Sequence, residues 1–307
     1  MQRAVSRDAD WSVTTRTVPF EGNETWVRIS TPLTPDPDAL PVIVLHGGPG
    51  MAHNYLLPLE RWAGSGRTVI HYDQIGCGNS SHLPEADPEY WTPALFVREF
   101  INLVDALGLV DYHVVGQSWG GMLAAEIAVT RPSGLRSIAI CNSPASMELW
   151  VAGAARLRTE LPDGMDEAMR RFEDAGETDA PEYLEYVDEF YRRHVCRTEP
   201  MPQEFVDSSA QMEAEPTVYH TMNGPNEFHV IGTLRNWSIV DRLPQIEVPT
   251  LVLAGEFDEA TPETWAPFVE HIRDVRSVVL PGTSHCSHLE DPDLVLDTVG
   301  AFLADHD

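Results

Sequence analysis

Between Tyr112 and Val129 the chain reads YHVVGQSWGGMLAAEIAV, a short apolar run that breaks at Gly116 and resumes as an alanine-rich helical stretch after Ser118. The pattern is strand, sharp turn, helix. Gly116-Gln117-Ser118-Trp119-Gly120 fits the G-x-S-x-G nucleophile elbow, in which a serine is held in a strained turn and small residues two places either side let strand and helix close together. A hydroxyl so placed stands clear of the sheet. The N–H of Trp119 then lies at a helix N-terminus, where the dipole and unpaired donors favour a developing oxyanion. A tight turn before a helix can also be purely structural, so the elbow has chemical meaning only if an acid and a histidine follow in the order such a fold requires.

The remaining chain supplies that context. Pro41 to Leu45 is a short apolar run delivering His46-Gly47-Gly48-Pro49-Gly50, a buried parallel strand followed by a glycine-rich loop. Its Gly48 N–H is the natural second oxyanion donor. Thr68–Tyr72 and Leu135–Cys141 read as further buried strands, and Thr92–Leu107 as a helix with Phe96, Phe100, Leu103, Val104 and Leu107 on one face and Gly108 at its end. Alternating strands and helices at these spacings predict an α/β fold with a mostly parallel, doubly wound sheet. Residues 1–40 alternate as antiparallel strands leading into that sheet would, with a loop beginning at Thr31.

The pattern changes after Ala145. Up to residue 238 no buried strand is evident, and acidic, aromatic-bearing helical segments such as PEYLEYVDEFYRRH at 181–194 dominate. This predicts an α/β core made of 1–144 and 239–307 with an inserted helical cap at 145–238, lying over the serine. Sheet character returns at Pro249–Ala254, followed by Gly255-Glu256-Phe257-Asp258-Glu259, and again at Arg276–Leu280, followed by Pro281-Gly282-Thr283-Ser284-His285. Asp291–Leu303 reads as a closing helix. Ser118, Asp258 and His285 therefore occur in the order Ser, Asp, His after the appropriate strands. His288, in the same loop, is assigned to packing or solvent, and His46 and His71 to the support of loops.

Composition narrows the alternatives. All twenty basic side chains are arginine, so a Ser–Lys dyad, a Schiff-base lysine and a phosphate-loop lysine are excluded. A formal charge of −28 argues against nucleic acid or an anionic membrane as partner. The four cysteines are scattered without a CxxC pair, which speaks against zinc and redox motifs, and no cofactor or metal is expected. Met1–Asp10 lacks the character of a signal peptide, and no apolar run approaches the ~20 residues of a membrane span, so a cytoplasmic location is expected.

Taken together, HGGPG at 46–50, DQIGCGNS at 73–80, GQSWGG at 116–121 and GEFDEATP at 255–262 resemble the proline iminopeptidase family of α/β-hydrolases. The segment MNGPNEF at 222–228 is similar to that of tricorn-interacting aminopeptidases and L-amino-acid amidases. The resemblance implies an amide hydrolase that removes an N-terminal aminoacyl group, with the substrate's free amine held by Glu227 and Glu259. An ammonium facing two carboxylates would gain charge-assisted hydrogen bonds of about 1.5–3 kcal/mol each, and the register from amine to carbonyl would admit one residue before the cut. The expected substrate is a small molecule or short peptide with a free N-terminal amine, its first residue Ala, Pro or similar, and its leaving group a peptide, an amide or an aminoacylated metabolite. Two other readings share the scaffold: an esterase or lactonase, and a non-catalytic binding protein.

Overall fold

Short apolar runs bounded by glycine and proline build the centre of the protein. A computed structural model describes residues 2–4, 10–162 and 164–307. The expectation drawn from Met1–Asp10 thus falls largely outside the described residues. The strands are β1 (Gln2–Ala4), β2 (Trp11–Phe20), β3 (Asn23–Pro32), β4 (Val42–Leu45), β5 (Val69–Asp73), β6 (Tyr112–Gln117), β7 (Leu135–Cys141), β8 (Thr250–Gly255) and β9 (Val275–Leu280). They form one sheet in the order β1-β2-β3-β5-β4-β6-β7-β8-β9. The first three strands run antiparallel and the rest are parallel. The loop expected from Thr31 begins two residues later, because Thr31 and Pro32 still pair with Ser12 and Trp11.

The faces of the sheet are covered by α1 (Pro93–Leu107) and α2 (Trp119–Val129) on one side, and by the single-turn segments of residues 53–65 and the closing helix on the other. Thr92 caps α1 by accepting from Leu95 N–H at 3.3 Å, and Phe96, Phe100, Leu103 and Val104 are buried. Every residue of α2 from Trp119 to Ala128 is buried, consistent with its mostly apolar sequence, and the one charged member, Glu126, is paired with Arg242.

Between β7 and β8 stand α3 (Met147–Arg158), α4 (Met165–Ala175), α5 (Pro181–His194), α6 (Gln203–Ala214) and α7 (Thr217–Met222), with no strand among the described residues. Leu157, Met169, Tyr183, Phe190 and Phe228 form a cluster apart from the sheet. The two ends of this segment meet, for Ser146 bridges Ser238, and Ile239 N–H donates to Ala145 O at 3.1 Å. After β8 come α8 (Pro262–His271), α9 (Ser287–Glu290) and α10 (Pro292–Ala304). No described helix is long and apolar enough to cross a membrane.

β4 lies between β5 and β6, so the loops after β4 and β6 leave the same end of the sheet where the winding direction reverses. Crevices at such switch points are where open α/β sheets bind ligands. HGGPG follows β4, and Ser118 follows β6.

Candidate active site

Ser118 adopts φ 56° and ψ −122°, a left-handed conformation that costs a non-glycine residue free energy. Its neighbours hold it there. Ser118 N–H donates to Cys141 O at 2.9 Å, and its carbonyl accepts from Gly121 and Met122. A Cβ on Gly116 would lie 2.0 Å from Gly120 O, and one on Gly120 would lie 2.1 Å from Leu45 O, so strand and helix could not close with larger residues. The glycines of the pentapeptide are therefore a packing requirement.

Gly48 and Trp119 line the same cavity as Ser118, and among the described residues their N–H groups have no protein acceptor. Two networks steady these donors. Gln74 donates through N–H to His46 Nε2 and through Nε2 to His46 O, both at 2.9 Å, and accepts from Trp119 Nε1 at 2.8 Å. Burial lowers the His46 pKa to about 4, so the imidazole is neutral and can accept. Tyr55 accepts from Gly47 N–H at 2.8 Å and donates to Gln117, whose Nε2 reaches His285 O at 3.1 Å.

Asp258 follows β8 and His285 follows β9, and the two side chains meet through His285 Nδ1 and Asp258 Oδ1 at 2.8 Å. The carboxylate is fully partnered, since Ala260 N–H donates to Oδ1 at 2.8 Å, and Asn142 Nδ2 and Gly255 N–H to Oδ2 at 2.6 and 3.3 Å. Burial presses the His285 imidazole toward neutrality, but Asp258, by charge and hydrogen bond, and then Glu227 and Glu290 outweigh it, and its pKa is raised. Ser118 and His285 line one cavity, yet no hydrogen bond joins the Ser118 hydroxyl to the imidazole. Such bonds commonly tighten only when substrate is bound.

Glu259 has no exposed surface, and neither of its carboxylate oxygens has a hydrogen-bond partner. Its Oε1 lies 3.8 Å from His285 Nε2. Burial, then the charges of Glu227 and Asp258, push its pKa well above the ordinary glutamate value. Glu227 enters from the segment after α7. Its Oε1 accepts from Tyr219 O–H at 2.7 Å, and Trp150 Nε1 holds its backbone carbonyl at 2.6 Å. Burial raises its pKa too, against the Tyr219 hydrogen bond and the His285 charge. Trp150 also sets its ring edge against His285 at 5.7 Å between centroids.

The end of α5 is stitched to both catalytic-side loops. His194 O accepts from Glu259 and His285 N–H groups at 3.3 and 3.1 Å, and Val195 O from Cys286 N–H at 2.7 Å. His288 is buried against Tyr55, at 5.3 Å between ring centroids, which selects packing over solvent. His71 Nε2–H donates to Leu56 O, 3.2 Å away, in a loop-supporting position. Asn142, Tyr55, Trp150 and Tyr219 carry no sequence signal of a role at this site, and Gln74 stands out only as a member of the DQIGCGNS stretch. Of the first four, only Asn142 could have drawn notice, as a small polar residue directly after a buried strand.

The family described as the α/β hydrolase fold matches residues 41–292. A proline iminopeptidase of Thermoplasma volcanium is 39% identical over 253 residues, covering 82% of this chain and 84% of that protein. Among solved structures, the proline iminopeptidase of Mycobacterium smegmatis superposes with a TM-score of 0.91 at 63% identity, covering 95% of this chain and 98% of that one. VinJ superposes with a TM-score of 0.93 at 47% identity, covering 96% and 99%. With the elbow, the glycine-rich loop and the Asp–His pair on one sheet end, and with relatives this similar across this much of its length, the chain belongs to the proline iminopeptidase family of α/β-hydrolases.

Proposed function

We propose that the protein is a serine aminopeptidase that hydrolyses the amide bond after an N-terminal residue. Ser118 attacks the carbonyl carbon while His285 takes its proton, and Asp258 fixes the tautomer with Nδ1–H toward itself and stabilises the imidazolium that forms. The N–H groups of Gly48 and Trp119 receive the oxyanion, and His285 then returns the proton to the departing nitrogen. Water, deprotonated by the same imidazole, releases the acyl group from Ser118.

The observation that carries the substrate class is Glu259, a buried carboxylate with both oxygens unpartnered, beside Glu227 and within 3.8 Å of the imidazole. A buried carboxylate without partners is unfavourable unless a ligand completes it. An α-ammonium group supplies charge and donors together. The acyl side chain falls against Met122, Pro144, Met147, Trp150 and Leu234, apolar walls that suit proline or alanine. Residues 145–238 act as the cap that closes this site. Four buried, unpaired cysteines fit a reducing, cytoplasmic setting.

The test compares Glu227→Gln and Glu259→Gln on an alanyl arylamide and on an N-blocked acyl ester. Loss of one charge-assisted hydrogen bond should lower kcat/KM for the arylamide by about 10- to 150-fold relative to the ester. Equal loss on both substrates refutes the anchoring role, and faster turnover of the N-blocked ester by the wild-type protein favours an esterase.

A further inference from the structure

Two cavities meet at Ser118, sharing Gly48, Ser118 and Glu227. Resting on the aminopeptidase reading above, their roles follow from the proton. The imidazole must reach the departing nitrogen, so the leaving group lies on the side that His285 lines, and that is the second cavity alone. Its outer wall is Tyr191 at the end of α5 and Phe205 on α6. The same two side chains line, from the other side, an open groove between α5 and α6 that continues over Met201 and Val206. The floor of the active site and the outer surface are thus separated by a single layer made of these two side chains.

We propose that this groove is the leaving-group site, and that it takes amines with an extended apolar body and no anionic end. Val206 is 42% exposed and has no apolar cover, while Met201 and Phe205 are half-buried beside it. Among the residues of α6 only Ser208 is buried, and its hydroxyl bonds Ala52 N–H and O at 3.2 and 3.4 Å, so a single polar anchor fixes the helix over the loop that follows Gly50. Phe205 and Met201 pack on the cluster of Val195, Cys196 and Cys286, so the Phe205 side chain forms the boundary between this groove and the cavity of Ser118. Charge decides the class. Asp188, Glu199 and Glu213 line the groove, and its one cation, Arg192, is already paired with Glu189 at 2.6 Å. A free carboxylate leaving through this groove would be repelled, and a neutral or cationic tail would not.

The experiment measures kcat/KM of the full chain on alanine n-butylamide and n-octylamide, and on alanyl-leucine and alanyl-leucinamide. Expected for the wild type is a rise of about tenfold from butyl to octyl, from methylenes buried in the groove, and a preference of similar size for the leucinamide over the free dipeptide. Val206→Asp and Met201→Glu should bring the octyl-to-butyl ratio close to one. The ratio is taken within one preparation, so partial misfolding cancels. Cleavage of all four substrates with no dependence on chain length, or a ratio unchanged in both variants, overturns the groove while leaving the aminopeptidase reading intact. Failure of the wild type to cleave any of them overturns both.

Discussion

Asp258 and Glu259 are neighbours in sequence, equally hidden from solvent, and opposite in circumstance. Every lone pair of consequence on Asp258 is met, by His285, Asn142 and two backbone N–H groups. Glu259 has none of its oxygens met. The difference separates a carboxylate met entirely inside the protein from one that the protein leaves without a partner. A satisfied buried acid holds its neighbours in place, whereas an unsatisfied one is a stability cost that a ligand can relieve. Both residues stand on the sheet-borne half of the site, after β8, whereas Glu227, from the segment after α7, has its Oε1 met by Tyr219.

The contrast can be broken at three points. Asp258→Asn should lower kcat by about 10^4-fold with little change in KM, because an amide cannot hold the imidazole in the tautomer that accepts a proton from Ser118. Steady-state kinetics on an alanyl arylamide measures this, and a loss below tenfold would remove Asp258 from the centre. Next in size is Asn142→Ala. It removes one buried donor from Asp258 Oδ2, Ser284 O and Ser287 Oγ, which lie 2.6, 3.2 and 3.1 Å from the lost nitrogen, and should destabilise the fold by about 2 kcal/mol in urea unfolding. An unchanged midpoint would mean that the surroundings of Asp258 are as loose as those of Glu259.

The smallest effect carries the opposite sign. Glu259→Gln should stabilise the ligand-free protein by about 1 kcal/mol near neutral pH. The folded-state pKa of Glu259 lies well above its ordinary value of 4.5, so the native state binds the proton more tightly than the unfolded chain. Stability from that proton is present in full below the ordinary value and is lost as pH rises through the folded value. The advantage of glutamine should therefore vanish in acid and grow with pH in thermal melts. A constant or absent gain would show that Glu259 is satisfied after all.

Much of the sheet-borne half is legible in the sequence. β4, β6, β7 and β8 are fully or almost fully buried, so each carries a short apolar run at its centre, and glycine marks the exit of β4 and β6. Relations across long separations are not legible. Asn142 lies 116 residues from Asp258, and nothing local distinguishes it from any polar residue after a strand. The turns of residues 53–65 and helix α8 are equally unannounced, since each carries an internal proline, Pro58 and Pro267, that obscures helical periodicity. In the inserted segment the charged faces of α4 and α5 betray helices, but which wall of the site each supplies depends on packing that no period encodes.

The backbone seam joining His194 and Val195 to Glu259, His285 and Cys286 has a consequence for how such enzymes can diversify. The helical segment between β7 and β8 is not a detachable module set on a finished machine, because the end of α5, its third helix, is bonded to the loop that carries the imidazole. Exchanging the insertion between relatives to alter selectivity would have to preserve that junction to the residue, or turnover would suffer for reasons unrelated to the pocket. Variation is tolerated most readily on the outward face of the sixth helix, where Gln203, Glu204, Val206 and Asp207 are exposed.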